Sequence, residues 1–206
     1  MPLEVAQAIT ESRLAELRER LIPLLKTNLP ITLEVGSGHG HFLTAYAQAH
    51  PEKFCIGIDL LPDRLARSER KSTRAGLPNI TWIRADVNLF LDALPADTRL
   101  AEIFILFSDP WPKRRHWKNR VLQPEFLTAL AARAGEGARL CFRTDHAPYF
   151  SQAQDFTRDH ADWSLAPDEP WPFELATVFQ LRAEEHQSFI ARRRPATTAT
   201  PVSRYG

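Results

Sequence analysis

The sequence predicts an α/β fold: a doubly wound, seven-stranded sheet, mostly parallel, with an antiparallel strand pair at its C-terminal end. Three observations predict it. Short apolar runs alternate with segments of helical spacing over residues 31–160, and strands apolar throughout belong to a parallel sheet covered on both faces. Five successive runs end in a carboxylate or in glycines, the side of such a sheet where ligands bind. The last two runs are joined by a polar turn with no helix between them, which calls for antiparallel pairing.

Residues 3–27 place Leu14, Leu17, Leu21 and Leu24 at helical spacing among Glu11, Glu16 and Glu19. An amphipathic helix docked on the domain follows, and those acids argue against a membrane surface. Leu29-Pro30 ends it. Ile31–Val35 is a strand ending in glycines, with a helix over 41–49. Phe54–Ile58 ends at Asp59 and is followed by a helix over 62–75, closed by Gly76. Ile80–Arg84 ends at Asp86, before a short helix around 87–94. Glu102–Phe107 ends at Asp109, and a helix covers 123–134. Arg139–Arg143 ends at Thr144-Asp145, and a helix covers 147–160. Leu175–Arg182 and Ser188–Arg193 are the final pair, turning at Ala183-Glu184-Glu185-His186. The tail from Pro195, rich in Thr, Pro and Ala, is expected to be disordered. The chain thus divides into an N-terminal helix over 1–30, one domain over 31–194 and a tail over 195–206.

At 206 residues, with 44% hydrophobic and 25% charged residues, the chain has the composition of a soluble globular domain. No run approaches the roughly 18 apolar residues of a membrane helix. The N-terminus carries acids and lacks a signal core, so a cytoplasmic location without a membrane partner is expected. Cys55 and Cys141 each lie within a strand-like run and are expected to be free, buried thiols. His39 and His41 flank a glycine, but no Cys/His spacing fits zinc and no metal is expected. The net charge of +1 is unevenly spread: five of the positions 113–120 are Lys or Arg, whereas 151–174 holds six acids against one Arg. Such polarity orients a polyanion toward one face.

The first strand runs into Glu34-Val35-Gly36-Ser37-Gly38-His39-Gly40. Glycines at Gly36, Gly38 and Gly40 allow a tight turn and close backbone approach at a helix N-terminus. The spacing is G-x-G-x-G rather than the dinucleotide G-x-G-x-x-G, and Glu34 would repel a pyrophosphate but welcome an ammonium group. S-adenosylmethionine has that ammonium and no phosphate. Asp59, nineteen residues past Gly40, suits both ribose hydroxyls, and Asp86 suits the adenine amino group. On consecutive strands these residues point to a methyl-donor site.

The acceptor belongs where the next strand ends. Asp109-Pro110-Trp111-Pro112 holds a carboxylate and an indole between two prolines, which stiffen the loop. Lys113, Arg114, Arg115, Lys118 and Arg120 follow it. A carboxylate, aromatics and dense cations suit an enzyme that handles a base together with its phosphates. A second basic row, Arg64, Arg67, Lys71 and Arg74, reads equally as a phosphate track or a solvated helix face, and so does Arg192–Arg194. Asp168-Glu169-Pro170-Trp171-Pro172 echoes the loop in acidic surroundings and is read as coincidence.

The stretch Phe107-Ser108-Asp109-Pro110-Trp111-Pro112-Lys113-Arg114-Arg115-His116 resembles the F-P-D-P-W-P-K-K-R-H motif of the tRNA (guanine-N7)-methyltransferases. Leu122-Gln123-Pro124-Glu125-Phe126-Leu127, Thr144-Asp145 and the T-x-F-x-x-R of Thr177–Arg182 are similar too. The resemblance runs from about Leu33 to Arg193 and is most specific over 107–127. It implies a Rossmann-like class I S-adenosylmethionine-dependent methyltransferase of the bacterial single-subunit type, a monomer or homodimer. Its reaction would methylate N7 of a guanosine in the tRNA variable loop and leave S-adenosylhomocysteine. By matching position, Glu34, Asp59, Asp86 and Asp109 would contact the donor or the reacting centre, with Asp109 catalytic. Lys113, Asp145 and Thr177, Phe179 and Gln180 would contact the guanosine, while Lys113, Arg114, Arg115, Lys118 and Arg120 would take phosphates.

Two residues depart from the family pattern. Ser108 stands where it has proline, and Gln180 where it has glutamate, a weaker and uncharged acceptor. These departures keep a non-catalytic RNA-binding paralogue in view. An exocyclic-amino methyltransferase of nucleic acid uses D/N-P-P-Y/W, but here Trp111 follows Pro110 directly. A nicotinamide dehydrogenase is disfavoured by Glu34 and the glycine spacing.

Overall fold

The structure, a computed structural model, describes residues 3–175 and 185–195. In chain order its elements are α1 (Leu3–Leu24), β1 (Ile31–Val35), α2 (His41–Ala49), β2 (Phe54–Asp59), α3 (Pro62–Arg74), β3 (Ile80–Arg84) and α4 (Val87–Ala93). There follow β4 (Leu100–Leu106), a 3-10 helix (Arg114–Asn119), α5 (Pro124–Arg133), β5 (Ala134–Thr144), α6 (Ala147–Asp159), β6 (Trp163–Leu165) and β7 (Gln187–Arg193). The seven strands form one sheet in the order β3-β2-β1-β4-β5-β7-β6. β1 to β5 are mutually parallel, and β7 runs antiparallel to β5 and β6. The chain winds outward from β1 to β3 and then crosses back to β4. The switch in strand order therefore falls between β1 and β4, where a ligand crevice opens at the carboxyl ends.

Burial on both faces follows from alternation along each strand. Cys55, Phe104, Cys141 and Ile190 pack against Phe42, Tyr46 and Leu65 of the α2/α3 layer. Ile56, Ile103, Ile105 and Leu140 join Phe90, Leu127 and Tyr149 in the layer of α1, α4, α5 and α6. Helix α1 docks on α4 through Leu17 and Leu21, and Arg20 donates to the Trp82 carbonyl at 2.8 Å.

One polar row crosses the α2/α3 face near the amino ends of the strands. Thr32, Glu102, Arg139 and Arg192 are register partners on β1, β4, β5 and β7. Glu102 accepts from the Tyr46 hydroxyl and pairs with Arg139 and with Lys53 at 3.0 Å, so its buried charge is compensated. Cys55 and Cys141 are free and buried nearby. Burial pushes the Cys55 thiol up to about 12 and raises Cys141 as well.

The C-terminal strands differ in one respect from the expected pair. Ser188–Arg193 is present within β7, but its described outer neighbour is β6, a three-residue strand too short to show any period in sequence. The expected strand Leu175–Arg182 lies outside the described residues except for Leu175, which is not in a strand. β5 also begins earlier than expected, at Ala134, because Gly135 and Gly137 obscure its first half and the register with β4 shifts there.

Candidate active site

The carboxyl edge is organised by the loop after β1. Its glycines all adopt left-handed backbone, with φ of 73° at Gly36, 55° at Gly38 and 65° at Gly40. The N–H groups of Gly36 and Ser37 both donate to the Ile58 carbonyl at 2.9 Å, pinning the loop across the end of β2. Gly40 has a second reason to be glycine. A Cβ there would lie 2.5 Å from the Trp82 ring and 2.7 Å from Ser68 of α3. Trp82 also lies against Gly57, where a side chain would collide with it. Beside Gly36 and Gly38, by contrast, there is open space.

Asp59 is buried at the end of β2. Its two oxygens accept from the Gly38 and Leu61 amides, each at 2.9 Å, and Arg64 lies 3.8 Å away. It therefore braces the glycine loop from the neighbouring strand. Glu34 is buried too. The Leu43 amide near the start of α2 donates to its side chain, yet Oε2 has no hydrogen-bond partner. Burial, reinforced by the Asp59 charge, pushes its carboxyl up to about 8, against the pull of Leu43 and Lys71. A buried acceptor without a donor is costly. An ammonium group brought to this loop would supply both hydrogen and charge, so these residues fit the donor that the sequence suggested.

Asp86, at the end of β3, is exposed and caps α4, its Oδ1 accepting from the Asn88 and Leu89 amides at 2.9 and 3.4 Å. The sequence places it correctly at a strand end, and part of its acceptor capacity serves the helix.

The loop after β4 carries strain. Phe107 and Trp111 adopt φ of 50° and 42°, a region costly for non-glycine residues. Phe107 is held by its N–H to the Arg143 carbonyl at 2.8 Å. Between them the Pro110 carbonyl accepts from Arg120 Nε at 2.7 Å. Arg120 is only 2% exposed. Its Nη1 donates to Gln152 of α6 at 2.7 Å, and its guanidinium lies 4.3 Å from the Trp117 ring and 4.9 Å from the Tyr149 ring. This corrects the sequence reading, which sent Arg120 to a phosphate; it instead clamps the Asp109–Trp111 loop from behind. Asp109, Lys113, Arg114, Arg115 and Lys118 are exposed as anticipated. Ser108 is half-buried, with its hydroxyl oxygen shielded from solvent beside Tyr149.

At the end of β5, Asp145 is exposed next to buried Thr144. The Thr144 hydroxyl accepts from the His146 amide at 3.2 Å, and His146 Nδ1 accepts from the Tyr149 amide at 3.1 Å to cap α6. Arg143, one residue earlier, is a residue that sequence reasoning missed. It is buried, makes two hydrogen bonds to Glu174 at 2.9 and 2.8 Å and one to Ser188 at 2.7 Å, and stacks on Trp171 at 4.1 Å. An arginine closing an apolar strand was the available signal. The Asp168–Pro172 echo is thereby given a packing role. Thr177, Phe179 and Gln180 lie outside the described residues.

The rim thus brings Glu34, the three glycines and Asp59 into one cluster. Asp109 with its cations stands on the adjacent β4, Asp145 one strand further, and Asp86 two strands to the other side. Among the described residues no group of three or more His, Cys, Asp and Glu is placed to hold a metal, and no helix is long and apolar enough to cross a membrane.

A family model described as "Putative methyltransferase" matches residues 28–199. A tRNA (guanine-N(7)-)-methyltransferase of Listeria welshimeri is 33% identical over 148 residues, 72% of this chain and 69% of that protein. One of Geobacillus kaustophilus is 32% identical over 171 residues, 83% of this chain and 72% of that protein. In structure, the 16S rRNA methyltransferase KamB has a TM-score of 0.62 at 20% identity, covering 86% of this chain and 94% of that one, a likeness of fold. With the glycine loop, the buried Glu34 and the strained Asp109 loop on one rim, the chain belongs to the tRNA (guanine-N7)-methyltransferase family.

Proposed function

We propose that this protein transfers a methyl group from S-adenosylmethionine to N7 of a tRNA guanosine, and that this guanosine lies in the variable loop. The observation that carries the reading is the buried Glu34 carboxyl at the end of β1, whose Oε2 has no hydrogen-bond partner beside the glycine loop, one strand away from Asp109. When bound, the donor supplies an electrophilic methyl on a sulfonium. Glu34 receives its ammonium, the open sides of Gly36 and Gly38 admit it, and Asp59 and Asp86 serve its ribose and adenine.

Guanine N7 carries an in-plane lone pair and no proton, so the reaction asks for no general base. What the chain must provide is alignment, and an anionic environment as positive charge spreads over the purine. In this reading Asp109, exposed on its braced loop, and Asp145 beyond β5 accept from the N1–H and 2-amino groups. Such bonds strengthen as that charge grows. Trp111 offers a stacking wall, and Lys113, Arg114 and Arg115 take neighbouring phosphates. Thr177, Phe179 and Gln180 complete the guanosine contacts in this reading, and Gln180 does so without the charge of a glutamate.

The test is incubation with unmodified tRNA and labelled donor, followed by aniline cleavage and mass mapping of nucleosides. The expected result is 7-methylguanosine in the variable loop. Asp109→Ala should lower turnover by at least ~100-fold, the scale of losing one well-placed electrostatic contact, while the melting temperature stays near that of the wild type. Label at an exocyclic amino group, or binding of donor and tRNA without transfer, would defeat the reading.

A further inference from the structure

Helix α3 carries five cations against two carboxylates in thirteen residues. At 3.6 residues per turn, Arg64, Arg67, Arg70, Lys71 and Arg74 fall within about 120° of its circumference and extend ~15 Å along its axis. Asp63 is the one acid on that arc, at the helix start, and Glu69 lies across the helix. The opposite side of α3 packs inward through Leu65, Ser68 and Ser72.

Among the described residues, most of these cations lack a carboxylate partner. Arg64 reaches Asp59 at 3.8 Å and Lys71 donates to the His39 carbonyl at 2.8 Å. Arg67, Arg70 and Arg74 are exposed and, among the described residues, make no ion pair. The far edge of the sheet is different. Arg139, Arg143, Arg158, Arg192 and Arg193 are each paired, with Glu102 and Glu169, Glu174, Asp155 and Asp159, Glu169, and Asp162. The acids of 151–174 are thus largely neutralised within the fold, whereas the charge of α3 is left to solvent.

The placement of α3 ties that charge to the rim. Ser68 Oγ donates to the Gly38 carbonyl at 3.2 Å, and Ser68 fills the space beside Gly40. The field of the helix reaches the loop, since Arg67, Arg64 and Lys71, after burial, lower the pKa of His39. Two uncompensated basic tracts therefore stand on either side of β1: α3 after β2, and the Lys113–Lys118 stretch after β4. A small acceptor would meet only one of them. A polyanion that presents a base at the Asp109 loop and continues past it would meet both.

We propose that the outer face of α3, through Arg67, Arg70 and Arg74, is a second phosphate-binding track for the RNA acceptor. This rests on the reading of the site as an RNA methyltransferase and extends it to how the backbone beyond the reacting nucleotide is held. The track binds phosphates without regard to base, so it sets affinity and salt dependence and leaves the choice of base to the rim.

The experiment compares the wild type with the triple variant Arg67→Ala/Arg70→Ala/Arg74→Ala, and with Arg158→Ala as an ion-paired control on the far edge. tRNA affinity is measured against salt separately from turnover. Loss of three phosphate contacts should weaken tRNA binding at least tenfold at ~0.1 M salt and make the slope of log affinity against log salt shallower by about 2. The penalty should appear in KM rather than kcat, vanish for a short variable-loop oligonucleotide, and be absent in Arg158→Ala. Unchanged affinity and slope in the triple variant would overturn the track, even if the wild type makes 7-methylguanosine. Arginine-dependent binding without methylation would overturn the reaction and leave the track standing. Donor affinity and melting temperature identify a misfolded triple variant, for which single Arg67→Ala and Arg74→Ala variants give the same decision at about one unit of slope or less each.

Discussion

Glu34 holds a proton that the unfolded chain would release. Its folded value of about 8 lies above the ordinary 4.5. The stability this proton represents is complete below the usual carboxyl range and is lost as pH climbs through about 8. Thermal unfolding of the ligand-free protein should therefore weaken from pH 5 to 8, and Glu34→Gln should flatten that decline. The ammonium of a bound donor favours the carboxylate, so binding of S-adenosylhomocysteine at pH 6.5 should expel a proton and tighten as pH rises toward 7.5. Calorimetry in buffers of different ionisation enthalpy checks this; equal proton release by Glu34→Gln would remove the residue from the ligand. Arg120 makes a different prediction. Arg120→Ala leaves the Pro110 carbonyl and Gln152 without their donor and should cost ~3 kcal/mol in denaturant unfolding, with turnover falling as the Asp109 loop loosens. Arg120→Lys should recover little, because an ammonium cannot make the fork or the stack. A raised KM and shallower salt slope at unchanged stability would return Arg120 to the phosphates. Composition did not separate Arg120 from Arg114 and Arg115, because what buries it, Tyr149 and Gln152, arrives on a helix three elements later.

Elements joined by short-range rules were legible; those defined by a neighbour were not. The glycine loop and the acids at strand ends could be placed because a parallel sheet puts its loops on one edge. β6 could not, since Trp163–Leu165 is a strand only by pairing with β7. Arg143 escaped notice because its meaning lies in Glu174 and Trp171, some thirty residues on. Within the loop the three glycines are not equivalent. Gly40→Ala combines left-handed φ with a Cβ 2.5 Å from Trp82, and should destabilise the fold by ~2–4 kcal/mol from strain and overpacking. Gly36→Ala, with open space beside it, should cost ~1–2 kcal/mol and act mainly on donor affinity. Paired melting and ligand-titration curves for the two variants check the ordering; the reverse would mean that α3 and Trp82 yield more easily than the loop.

Across the whole molecule, charge is distributed by partnership rather than by count. The sequence showed a basic tract and an acidic one, but not that most of the acids would be satisfied by arginines of β5, α6 and β7. A net charge of +1 therefore understates the field on the side of α3 and the β4 loop, the side proposed above to meet the RNA. Trp82 carries a last consequence. Its ring lies against Gly40 and Gly57 beneath the glycine loop, its Nε1–H donates to Ser72 at 3.0 Å, and it is 7% exposed. Indole emission is sensitive to its surroundings, so the protein carries its own optical gauge against the glycine loop. With Trp111, Trp117, Trp163 and Trp171 replaced by phenylalanine, occupancy could be followed in real time without a label.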